Sequence, residues 1–412
     1  MDRIDFGRRV AYWRGRRGLT QQQFALLMGR SPRWVEELEG GRRQADPKLS
    51  VITEIAACLR VTVDRLLYDP VVLCPTQGEI DAVRAALQRH DVITGHIDDS
   101  SAEPVSVAAL RRFLVYARTG FQAGHFARLG TQIPRLLVDA TRATRRCRGK
   151  ERQEAFRLLS LSLELTEAAA IKWGDTKLAV VAGHRAVAAA ECSEDPVIMA
   201  SAARHLADAM TNDGQAAAAV EFATAAAERL RSDLLQRGAP GLSVLGMLYL
   251  KAALAQAAAV EADDHNPNAA ARVVPDFLDE ADEYANRLGG DGNELWTSFG
   301  PTNCGLYRVA AHVQLAAGDD AVAAAAGIPE AALNNLPRER RAHLLTDRAL
   351  GETLAGRYGK AVDTLLEAEA LAPEEVRCRP RTQRLIEDLQ LLGVGSAEGR
   401  LRSLAERCGL PR

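Results

Sequence analysis

Apolar residues recur along this chain at helical spacing, so the pattern predicts helix after helix. In the first 68 residues the breaks are closely set. A basic, partly apolar run from Phe6 to Arg17 predicts a first helix ended by Gly18, and the run from Leu19 to Gly29 predicts a second, with Thr20 as its N-cap. Ser31-Pro32 then starts a third almost at once. Ser31 can accept from a first-turn amide, Pro32 has no N–H to lose, and Gly40-Gly41 can end the helix after about two turns. At 100° per residue Val35 and Leu38 share one face, flanked by Trp34 and Glu39, while Arg33, Glu36 and Glu37 point away. Leu49 to Leu59 and Val63 to Leu67 continue the spacing, completing a unit of five helices. Two helices joined by so tight a glycine-containing turn form a helix-turn-helix pattern.

Beyond Leu67 the prolines of Asp69-Pro70 and Cys74-Pro75 and the polar run HIDDSSAEP mark a linker over 69–105, carrying one amphipathic helix near Gln77 to Val92. Residues 106–412 read as helix nearly throughout, with an internal repeat. Gly356, Ala361, Ala368 and Pro373 stand at intervals of 5, 7 and 5, with Ala349 seven residues before the glycine. The first two intervals recur at Gly214, Ala219, Ala226 and at Gly174, Ala179, Ala186, 40 residues apart, which is the length of one helical hairpin. Further pairs are expected at Leu242 to Leu288, Asn303 to Ala326 and Glu374 to Arg407. These features predict an all-α protein whose body is a right-handed solenoid of about six hairpins with a concave surface. A generic helical bundle is the alternative, since alanine at helical spacing occurs in any buried helix.

One segment breaks the rhythm. Gly289 to Asn303, GGDGNELWTSFGPTN, holds four glycines, a proline and two aromatics, and a long loop inside a compact array is usually functional or disordered. Trp296 and Phe299 argue against disorder. If the loop folds into the concave groove, Trp296, Phe299, Asn303, Tyr307 and Arg308 are the candidate ligand contacts; otherwise it plugs a wide turn.

Composition supports the helical reading: 47% of residues are hydrophobic and only 5% aromatic, which suits closely packed helices better than sheets. No apolar stretch approaches the roughly 20 uncharged residues of a membrane span, and the charged start MDRIDFGRR is unlike a secretory signal, so a cytoplasmic protein is expected. The seven cysteines are scattered without a Cys-x-x-Cys pair, which predicts free thiols. His90 and His96 near Asp98 and Asp99 lack any recognised ligand spacing, so neither metal nor other cofactor is expected. The net charge of −2 hides an asymmetry: residues 1–68 carry 13 basic and 8 acidic side chains, hence +5, and the remainder carries −7. A basic head on an acidic body suggests that the head alone meets a polyanion.

The head resembles the XRE family, the phage-repressor-like helix-turn-helix domains. The resemblance rests on Arg14, Gly18-Leu19-Thr20-Gln21, Phe24-Ala25, Met28-Gly29, Val35, Leu38-Glu39-x-Gly41 and Leu59-x-Val61-x-Val63-Asp64-x-Leu66-Leu67. It implies that the helix after Ser31 enters the DNA major groove, with Arg33, Glu37 and Trp34 as base-reading candidates. Gln21, Ser31, Arg42 and Arg43 match phosphate-contacting positions, and Arg14 and Glu39 match a structural ion pair. A guanidinium suits guanine and a carboxylate suits the cytosine amino group. Pro32 departs from the glutamine often found there, and Glu36 and Glu37 would repel phosphate. The body resembles tetratricopeptide repeats, and the whole is similar to actinobacterial regulators of this architecture and to peptide-responsive quorum-sensing regulators.

The resemblance implies a transcriptional regulator: a homodimer on double-stranded DNA, with a peptide or small-molecule effector in the body and a dimer interface among candidates such as Arg379 to Leu392 and Ala397 to Cys408. The competing expectation is an interaction scaffold whose head does not read DNA. An enzyme is not expected, because nucleophile-elbow, phosphate-loop, dinucleotide and metal-ligand motifs are all lacking.

Overall fold

The computed structural model describes residues 3–17, 19–40, 48–61, 63–67, 74–94, 106–262 and 267–410. The chain divides into two compact units, Met1–Val72 and Leu73–Arg412. Among the described residues all regular structure is helical.

The first unit holds α1 (Arg3–Arg16), α2 (Gln21–Leu27), α3 (Pro32–Glu39), α4 (Leu49–Leu59) and α5 (Val63–Leu67). Local chemistry sets the ends of the central pair. The Thr20 side chain accepts from the Gln23 amide while the Gln23 side chain accepts from the Thr20 amide, a complete capping box. Ser31 caps α3 by accepting from the Trp34 amide at 3.2 Å, with Pro32 in the first turn. The inward faces of the five helices meet in one core around Phe6, Val10, Phe24, Val35, Leu38 and Ile55. Gly18, Gly41, Arg42, Arg43, His96, Asp98 and Asp99 lie outside the described residues.

The second unit begins earlier than the linker reading implies. Helix α6 (Gln77–Leu87) has its own capping box at Thr76 and buries Val83 and Leu87 in the body's first core, and Arg84 reaches Asp175 at 2.6 Å. Short α7 (Asp91–Thr94) follows. The body then runs through paired helices: α8 (Val107–Gln122) with α9 (Leu129–Arg146), α10 (Gly149–Trp173) with α11 (Thr176–Ser193), α12 (Pro196–Asn212) with α13 (Ala216–Leu235), and α14 (Gly238–Ala262) with α15 (Pro267–Leu288). After the 289–300 loop come α16 (Pro301–Gln314), α17 (Gly318–Ala326), the short α18 (Glu330–Leu333), α19 (Arg338–Leu354), α20 (Tyr358–Leu371), α21 (Pro373–Arg377), α22 (Pro380–Leu392) and α23 (Glu398–Arg407).

The repeat spacing finds its physical cause here. Gly174, Gly214 and Gly356 sit at hairpin turns with φ of +79°, +82° and +72°, where a side chain would be strained. Ala179, Ala186, Ala219, Ala361 and Ala368 are fully buried where paired helices approach. Contrary to the expectation that no stretch approaches the length of a membrane span, helix α14 is long and apolar enough over Gly238–Val260 to pass for one, although 72% of its most apolar window is buried. It is apolar on all sides because α12, α13, α15 and α16 surround it.

The array does not end in solvent. Its last elements return to its first: the Ala127 amide donates to Glu374 at 2.8 Å, and Lys172 on α10 reaches Glu375 on α21 at 2.8 Å and Glu339 on α19 at 2.6 Å. Cys74 and Cys378 form a disulfide there, with Cα atoms 5.1 Å apart, which corrects the expectation of free thiols throughout. Their sequence separation of 304 hides the pairing from any spacing rule.

Candidate functional site

On the head, α3 presents its outer face as helical geometry requires. The Arg33 side chain is 86% exposed and its Nε donates to Glu37 Oε1 at 3.0 Å, the i,i+4 pairing that a helix surface favours. Trp34 is only 8% exposed, packed in the head core with Arg30 stacked on its ring at 5.6 Å, so it is a packing residue and does not face outward with the base-reading candidates. Gln21 and Ser31 are also engaged: Gln21 Nε2 donates to Glu39 Oε2 at 2.9 Å, and the Ser31 hydroxyl is the α3 cap. Arg14 grips Glu39 through two parallel contacts, with Nη2 to Oε2 at 2.9 Å, and both side chains are buried.

In the body, the first helices of successive hairpins turn toward one another around a cavity of about 180 Å³. Its walls come from α8, α10, α12, α14, α16, α19 and α22. Its apolar lining comes from Phe121, Ile171, Leu254, Trp296, Leu306 and Leu344. The remainder carries charge that sequence reading missed.

These charges are mostly paired. Arg118 lies 3.3 Å from Glu164, Lys251 is 2.9 Å from Asp208, and Arg340 is 3.5 Å from Glu339. Arg379 bonds Glu375 at 2.7 Å, and at the exposed rim Arg381 meets Asp347 at 3.3 Å. Burial favours neutral forms, and it pushes the Glu164 carboxyl up and Glu167 well up. Burial, reinforced by Arg204 and Arg118, holds His205 well below the usual histidine range, and its Nδ1 is hydrogen-bonded to Glu167. Glu339 and Glu375 behave oppositely. Burial would raise both, but Lys172, joined by Arg340 at Glu339 and by Arg379 at Glu375, holds Glu339 well below its ordinary value and Glu375 down at about 2.

The 289–300 loop divides its two aromatics. Trp296 has a positive φ of 57°, between Leu295 at 50° and Ser298 at 51°, and this strained backbone swings its ring to the cavity over Arg118, 5.1 Å from the guanidinium. Phe299 is fully buried against α14, where Gly246 leaves room for the ring: a Cβ there would lie 2.0 Å from Phe299 Cζ. Tyr307 lines the cavity, with the Lys251 ammonium 5.3 Å above its ring. Asn303 is buried beside Met247, and Arg308 turns to Asp279 and Asp282; neither belongs to the lining. Phe299, Asn303 and Arg308 therefore support the wall, which corrects their expected place at a ligand surface. One signal for the missed charges was legible: Lys251 is the single charged residue in the apolar stretch Gly238–Val260.

Among the described residues no group of three or more His, Cys, Asp or Glu side chains is placed to hold a metal ion. The helix-turn-helix domain family matches residues 5–67. The head is a helix-turn-helix domain. No curated protein matches the chain. Among solved structures it is similar to that of Bacillus thuringiensis PlcR in complex with the peptide PapR7 and DNA, at 13% identity over 69% of this chain and 99% of that one, with a TM-score of 0.26.

Proposed function

We propose that this protein is a DNA-binding transcriptional regulator of the XRE type, acting as a homodimer in the cytoplasm, whose helical body binds an effector without converting it. The observation that carries the reading is the outer face of α3: a capped helix in a helix-turn-helix domain, with Arg33 exposed at its first turn. In such domains the second helix of the motif lies in the major groove and its N-terminal residues meet base edges. Arg33 and Glu37 pair with each other in the free protein, and on DNA each exchanges that exposed bond for a base edge, at little cost because surface pairs contribute about 0–1 kcal/mol. The partly open cavity, which brings apolar side chains and many charged groups together, supports an effector site there.

Selection of bound genomic fragments by the purified protein, at low and at high salt, tests this reading. The expected outcome is a two-fold-symmetric site with half-sites about 10 to 10.5 base pairs apart, lost steeply as salt rises. A second reading, an interaction scaffold with a silent head, draws on Glu36 and Glu37 sharing the outer face with Arg33. It predicts no salt-dependent recovery of DNA at all, and that result would displace the regulator.

A further inference from the structure

Seven basic side chains line the cavity, and six of them have a carboxylate within 4.0 Å. The seventh is Arg204, on α12. It is 3% exposed, its Nε has no hydrogen-bond partner, and among the described residues no carboxylate pairs with it. Glu164 and Glu167 act on this buried guanidinium only through space, so its desolvation is incompletely offset by any contacting partner. Burial accordingly lowers its pKa from the ordinary arginine value, yet an arginine remains charged in proteins. Unmet hydrogen bonding is shared around it: Arg118 Nε and His205 Nε2 on the donor-bearing side chains, and Glu164 and Glu167 Oε1, are also buried without hydrogen-bond partners.

We propose that the body binds one small organic acid, whose carboxylate meets Arg204 and whose apolar portion lies against Phe121, Leu254, Trp296 and Leu306. This inference rests on the reading of the cavity as the effector site, and it specifies the chemistry. A single unpaired guanidinium matches a singly charged anion, and its planar fork matches a carboxylate in two-point contact. The apolar lining residues supply aromatic and aliphatic surface for the rest of such a molecule. At about 180 Å³ the chamber is smaller than the roughly 300–1,000 Å³ of drug-sized pockets, which favours a compact acid over a long peptide. The C-terminus of a very short peptide offers the same carboxylate, so the test separates the two sources.

Calorimetric titration of the full-length protein uses phenylacetate, indole-3-acetate and hexanoate, the corresponding primary amides, and leucyl-phenylalanine with a free or amidated C-terminus. The proposal expects at least one free acid to bind and its amide to bind at least about 30-fold more weakly, the scale of losing one partner of a buried charged pair. The peptide arm identifies the source: a free-acid dipeptide that outbinds all three small acids overturns the small-acid assignment. Arg204→Met is expected to lose the acid by a similar factor while its ligand-free thermal midpoint stays level or rises, because a buried charge that no carboxylate contacts has been removed. A purely structural arginine would instead lower that midpoint. Failure of every free acid at millimolar concentration, or equal binding of acid and amide, overturns the proposal. Fragment selection without added acid reports on the regulator separately, so the two readings fail independently.

Discussion

Glu39 accepts from donors on two other helices, two on Arg14 and one on Gln21, at a position with little access to water. Removing it strands a buried guanidinium. Glu39→Ala is therefore expected to cost the head about 3–5 kcal/mol, measured as an early unfolding transition in denaturant that the wild type lacks. Arg33 is the opposite case, since its side chain projects into solvent and contributes little to folding. Arg33→Ala is expected to leave the unfolding curve unchanged, cost about 1–3 kcal/mol on the selected DNA site, and relax preference at one base pair. Equal loss on every sequence, measured by competition with point-mutated sites, would remove Arg33 from the readers.

At the scale of single elements, α14 and the 289–300 loop depend on one another through Gly246. Gly246→Ala places a methyl where the Phe299 ring stands and is expected to destabilise the body by about 1–3 kcal/mol, read from its denaturation midpoint. A similar dependence ties α10 to α21. Glu375 is held at about 2 by Lys172 and Arg379, against an ordinary 4.5, so its ionised form stabilises the folded body. That contribution is fully present above pH 4.5 and is lost as pH falls from there through 2. Acid unfolding between those limits is expected to flatten in Glu375→Gln, which no longer titrates. Elements of this kind were unevenly legible in the sequence. The caps at Thr20 and Ser31 and the glycine–alanine spacing of the hairpins act within a few residues, so pattern alone exposes them. Trp34 was misplaced because a flank position is decided by tertiary packing. Arg204 was invisible for a different reason: a lone arginine among alanines reads as a solvent face until the other helices are placed around it.

For the molecule as a whole, the closing contacts between α10, α19 and α21 lie beside the Cys74–Cys378 bond. Alkylation of the unfolded, unreduced protein is expected to modify five cysteines, and seven after reduction, counted by mass spectrometry. Reduction is also expected to lower the body's thermal midpoint, since a cross-link over a long loop typically stabilises by about 2–4 kcal/mol. Recovery of seven modified thiols without reduction would show the bond absent.

The return of the last hairpins to the first also limits how such a chain can be built. An open stack of repeats can gain or lose a unit at its end with little effect on the rest. Here one added hairpin would carry Glu339 and Glu375 away from Lys172, leaving its buried ammonium without a carboxylate. The number of units is therefore set by an electrostatic seam, as the number of staves in a cask is set by its hoop.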